Sequence, residues 1–109
     1  MNITLKSNES WLLNLVEEDG ADLTGRVNKA RLVVKRNKED IDTDAVVNQE
    51  VAVTDPSAFD VLFNVPPSVT HDLDGQYYYE VWAYLNDKSD AIFCDDGTVI
   101  FTNPLLDIL

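Results

Sequence analysis

The sequence predicts an all-β chain, a two-sheet antiparallel sandwich of about seven to eight short strands. Apolar residues recur at every second position along most of its length, and turn-forming residues break that alternation about every 8–12 residues. No stretch holds a convincing helical period. The 109 residues, 45% hydrophobic and 26% charged, suit one domain over 1–109, with 103–109 as a C-terminal tail.

Residues 10–16 read as the first strand, closed by the acidic turn Glu17-Glu18-Asp19-Gly20, whose glycine can take positive φ. After a second break at Leu23-Thr24-Gly25, residues 27–36 set Ala30, Leu32 and Val34 against Lys29, Arg31, Val33 and Lys35, a half-buried strand. Residues 37–44 are polar and form a loop. In 45–53, Val47, Val51 and Val53 are spaced for one strand face, interrupted by Gln49, and Asp55-Pro56-Ser57 then turns the chain. Phe59, Val61, Phe63 and Val65 alternate until Pro66-Pro67 stops the pairing. One helical turn fits residues 68–74, with Ser68 as its cap. Further on, residues 86–90 read as a hairpin loop and 91–94 as a strand. Asp96-Gly97 reads as a two-residue hairpin turn, with 98–102 as the last strand before Pro104.

Between these lies the most informative stretch, residues 75–85. Side chains alternate across a strand, so Tyr77, Tyr79, Val81, Ala83 and Leu85 share one side and Tyr78, Glu80, Trp82 and Tyr84 the other. The first set can line a core; the second is unusually aromatic for a face in water. Either Trp82 and Tyr84 lie under another part of the same domain, or Tyr78, Trp82 and Tyr84 form an interface, for which Tyr and Trp supply large contact area. Carbohydrate stacking on Trp82 is the third reading. The tail adds Leu105, Leu106, Ile108 and Leu109, apolar residues that need cover and are expected to pack on a partner or on their own domain.

Eight basic against twenty acidic residues give a net charge of −12, which repels phosphate backbones and anionic lipid and argues against nucleic-acid or membrane partners. Arg26, Lys29, Arg31, Lys35, Arg36 and Lys38 gather most of the positive charge, and polar-face alternation explains most of them. No secretory leader follows Met1, and no apolar run approaches the ~20 residues of a membrane span.

No chemical site stands out, and the expectation is a protein without catalytic residues, metal or cofactor. Asp40, Asp42 and Asp44 have the alternate-carboxylate spacing that opens a calcium loop, but Ala45 stands where glycine is needed and Val51 where the bidentate Glu should be. Asp72-Leu73-Asp74-Gly75 is similarly truncated. His71, the only histidine, has no nucleophile or carboxylate around it in a catalytic motif and reads as a surface loop residue. Cys94, the only cysteine, reads as a small apolar strand residue.

The succession Trp11-Leu12-Leu13-Asn14-Leu15-Val16, Asp19-Gly20-Ala21-Asp22-Leu23-Thr24-Gly25 and Val27-Asn28-Lys29-Ala30-Arg31-Leu32-Val33-Val34-Lys35 resembles the opening of the N-terminal domain of tailed-phage baseplate upper proteins. Gly75-Gln76-Tyr77-Tyr78-Tyr79-Glu80-Val81 matches a later Gly-x-Tyr-x-Tyr-acid-Val-like strand of that family. The resemblance runs over residues 10–102. It implies an immunoglobulin-like sandwich that docks into a virion, made in the host cytoplasm, and it says nothing of catalysis. Its partners would be other virion structural proteins and further copies of itself. Long members of the family continue into a helical or fibre region that carries receptor-binding proteins, whereas this sequence ends at Leu109. The expected role is therefore an assembly or adaptor module of the baseplate, tail or neck. Capsid decoration, a head fibre, and carbohydrate or cell-surface binding are the alternatives.

Overall fold

Period-two alternation becomes seven strands in the computed structural model, which describes residues 2–6, 9–16, 25–39, 44–53, 60–86 and 88–102. They are β1 (Asn2–Lys6), β2 (Trp11–Val16), β3 (Lys29–Lys35), β4 (Val47–Ala52), β5 (Asp60–Val65), β6 (Gly75–Tyr84) and β7 (Ile92–Thr102). One short helix, α1 (Pro67–Thr70), and a 3₁₀ turn (Lys88–Asp90) complete the described elements. Five strands form one sheet in the order β1-β7-β6-β3-β4, and β2 pairs with β5 in a second. All pairings are antiparallel except β1 on β7, which is parallel.

The alternating runs converge on one core between the sheets. Ala30, Leu32 and Val34 of β3, Val61, Phe63 and Val65 of β5, and Tyr77, Tyr79, Val81 and Ala83 of β6 are all buried in it. Trp11 of β2 stands edge-on to Tyr79 at 5.7 Å and to Phe101 at 6.2 Å, joining the small sheet to the large one. The arrangement is an immunoglobulin-like sandwich. Its β2–β5 pair holds the place of strands B and E, and β7-β6-β3 that of G, F and C.

Several expectations change. Residues 2–6 form a strand that the sequence reading did not assign; Ile3 and Leu5 pack on the core from the sheet edge. The hairpin at Asp96-Gly97 does not occur, because residues 92–102 run as one strand with Asp96 paired to Glu80 and Gly97 to Tyr79. A ten-residue β6 offers a ladder along that whole length, and satisfying it outweighs the local turn preference. Ser68 is not a cap: α1 starts at Pro67, with Pro66 at the cap position and no side-chain cap bond, as suits a proline in the first turn. Buried Thr70 instead ties this turn to the start of the chain, its hydroxyl donating to the Glu9 carbonyl at 2.8 Å. Gln49, the interruption in β4, donates from Nε2 to the Asn64 carbonyl of β5 at 3.1 Å and so links the two sheets. Leu85 falls just past β6 and is only half-buried. Of the expected loop at 86–90, Asp87 lies outside the described residues; between β6 and β7 the Asp90 carboxylate accepts from the backbone of Leu85 and Asn86 at 3.2 and 3.1 Å. Phe59, Asp40, Asp42, the turns at 17–20 and 55–57, and Leu105, Leu106, Ile108 and Leu109 lie outside the described residues.

A bulge sits in β7, where Val81 pairs with Asp95 and Trp82 with Phe93, leaving Cys94 as the extra residue. Cys94 packs against the core, and Asp95 accepts a long hydrogen bond from the Tyr79 hydroxyl at 3.5 Å. Burial, then the Asp95 charge, push the Tyr79 phenol up from its ordinary 10 to about 12. An unfolded chain ionises this phenol first, so its contribution to stability is complete below pH 10 and is lost as pH rises towards about 12. Urea midpoints should fall through that window, and Tyr79→Phe should fall less steeply. Equal slopes for the two proteins would place the alkaline sensitivity elsewhere.

Candidate interaction surface

The outward residues of the five-stranded sheet build the candidate site, because the register places cations of β3 directly opposite aromatic residues of β6. Lys29 faces Tyr84, Arg31 faces Trp82 and Lys35 faces Tyr78, while Arg31 also faces Glu50 across β4. Together with Glu80, Asp96 and the Lys38 side chain they line an open trough of about 740 Å³.

Each aromatic residue in the trough has its polar tip already engaged within the domain. The Trp82 indole N–H donates to Glu80 at 2.8 Å, and its ring meets Phe93 edge-on at 5.3 Å. Gln76 donates to the Tyr78 hydroxyl at 3.3 Å, and the Lys38 ammonium lies 5.1 Å from the centre of that ring. Tyr84 donates to Glu50 and accepts from Arg31 Nε at 3.3 Å, while Arg31 also reaches Glu50 at 3.2 Å and Asn48. The Tyr84 bond, aided by the charge of Arg31, holds the Glu50 carboxyl below its ordinary value of 4.5. Burial, then the same bond, raise the Tyr84 phenol. The Arg31 and Glu50 side chains are both more than a third exposed, so their ion pair adds little stability. Its effect is orientation: it fixes the side chains that frame the trough. What the face offers outward is flat ring surface, with Phe93 49% exposed beside Trp82.

Of the residues expected at an interface, Tyr78 and Trp82 lie half-buried on this face. Tyr84 is on it too but only 8% exposed, so it supports the surface from beneath. The four C-terminal residues fall outside the described part. Sequence reasoning missed Arg31, Glu50 and Phe93. Alternation put Arg31 on the outer face of β3, but only knowing that β3 runs beside β6 and β4 joins it to Trp82, Tyr84 and Glu50.

The chemical candidates stay apart. Among the described residues no three His, Cys, Asp or Glu side chains gather as a metal site, and Asp44 is exposed. His71 is exposed in the turn after α1, 3.8 Å from the neighbouring Asp72 carboxylate. Cys94 is half-buried at the bulge. Among the described residues no helix is long and apolar enough to cross a membrane.

No family model matches the sequence, and no curated protein matches it. Among solved structures, the chain is similar to the immunoglobulin-like domain of mouse leukocyte-associated immunoglobulin-like receptor 1, seen there as a strand-swapped dimer. Identity is 13% and the TM-score 0.56, over 92% of this chain and 86% of that one. At such identity the likeness speaks for the sandwich fold alone.

Proposed function

We propose that this chain is a non-catalytic assembly module that docks through the outer face of its five-stranded sheet, and that it works in the virion of a tailed bacteriophage, in the baseplate, tail or neck. The observation that carries the mode of action is the Trp82–Phe93 pair, in which half-buried Trp82 lines the trough and exposed Phe93 stands beside it, with the framing side chains already held in place. Pre-oriented side chains lose little freedom on binding, which makes such a face economical as a docking site. The setting is supported by the resemblance of residues 10–102 to the baseplate upper protein N-terminal domain. Its partners would be other structural proteins of the particle and further copies of the chain.

Two measurements test this. Purified particles should contain the chain in a fixed multiple of a symmetry number, located in the baseplate, tail or neck. Trp82→Ala should then weaken its binding to particle proteins about tenfold or more, the scale of a central aromatic contact. Unchanged binding would remove this face as the interface. Location on the head would favour capsid decoration or a head fibre, and binding of the isolated chain to host-cell glycans would favour the cell-surface reading.

A further inference from the structure

We infer that the trough receives a second copy of this chain, docked head to tail, with the outer face of the β2–β5 sheet of one copy seated on Trp82 and Phe93 of the next. This rests on the reading of the trough as an interface and names its occupant. The sandwich carries exposed apolar side chains on both outer faces. Opposite the trough, Leu12 is 62% and Leu62 54% exposed. Because Leu12 pairs with Asn64 and Asn14 with Leu62, the two leucines are diagonal neighbours across β2 and β5, within reach of each other as one small patch.

Charge decides how two such copies meet. The trough is lined by Lys29, Arg31, Lys35 and Lys38, four of the chain's eight basic residues, but by only three of its twenty acids. A slightly positive face therefore sits on a strongly negative body. Pairing trough with trough across a twofold axis would set basic lining against basic lining. Pairing trough with the far side sets it against the acidic remainder of the next copy, where β2 and β5 contain no Lys or Arg and exposed Asp60 shares the outward side of β5 with Leu62. Such a contact joins different surfaces of identical chains, so it repeats and generates a ring or a stack instead of stopping at a dimer.

The test is complementation between variants that each lose one face. Sedimentation of the wild-type chain up to about millimolar concentration should show species larger than dimers. Trp82→Ala removes the contact in the trough and Phe93→Ala the one beside it, and Leu62→Lys places a cation on the patch that must enter the trough. Each alone should weaken self-association about tenfold or more, and Phe93→Ala and Leu62→Lys should do so at unchanged melting temperature because Phe93 and Leu62 are exposed. An equal mixture of Trp82→Ala and Leu62→Lys retains one good pair of faces, so it should form heterodimers and nothing larger. A wild-type chain that stays monomeric, dimers indifferent to Leu62→Lys, or a mixture that fails to associate would each overturn the proposal. Should the chain be monomeric yet still bind another particle protein through Trp82, the interface reading stands and only the head-to-tail contact falls.

Discussion

Trp11→Ala should destabilise the domain by about 3–5 kcal/mol, a large part of the roughly 5–15 kcal/mol that holds domains of this size. Trp11 is 2% exposed, and its contacts with Tyr79 and Phe101 run from β2 across the core to β6 and β7. In antibody domains the strands in the places of β2 and β6 are tied by a disulfide, with a tryptophan from the third strand packed on it. Here the only cysteine, Cys94, lies on β7, and the centre of β3 is Leu32. A tryptophan stands on β2 instead, and aromatic packing does the joining. Each edge-to-face pair adds about 0.5–1.5 kcal/mol beyond its buried area, and both depend on this one ring. Equilibrium unfolding in urea measures the loss, and Trp11→Phe should recover much of it. A change within about 0.5 kcal/mol, the scale of an ordinary surface substitution, would mean that the sheets are held together elsewhere.

The core was legible in the sequence because burial writes itself at period two. Ala30/Leu32/Val34, Val61/Phe63/Val65 and Tyr77/Tyr79/Val81 all face inward as their spacing requires. Strand partners were not legible, since pairing joins residues far apart in the chain and leaves no local mark. That is why Asp96-Gly97 read as a turn when its true neighbours are Glu80 and Tyr79. The same blindness hid β1, whose two inward residues, Ile3 and Leu5, are too few to show a pattern and whose parallel partner comes at the other end of the sequence. At the candidate site, the sequence showed the aromatic half, Tyr78, Trp82 and Tyr84, while the cationic half appeared only when β3 was set beside β6.

Tyr77 should split cleanly into two parts: about 1 kcal/mol for its hydroxyl and, on full truncation to alanine, about 3–5 kcal/mol in all. The ring is 1% exposed and meets Phe101 edge-on at 5.9 Å, so removing it opens a cavity at the end of the core. The hydroxyl accepts from the Asp74 backbone N–H at 3.2 Å and from Arg36 at 2.6 Å. That bond closes the bend into β6, where Gly75 holds φ at +93°, a conformation open to glycine at little cost. A tyrosine bonded to the backbone just upstream, at the start of the strand in this position, is a recurring corner of immunoglobulin-like sandwiches. In Tyr77→Phe the freed groups of Asp74 and Arg36, both exposed residues, can turn to water, which keeps the loss small. Unfolding free energies of the two variants give the two parts, and amide exchange at Asp74 should quicken in Tyr77→Phe. If Tyr77→Phe proved as damaging as Tyr77→Ala, the corner bond and not the buried ring would be what fixes β6 in the sandwich, and with it the trough on its outer face.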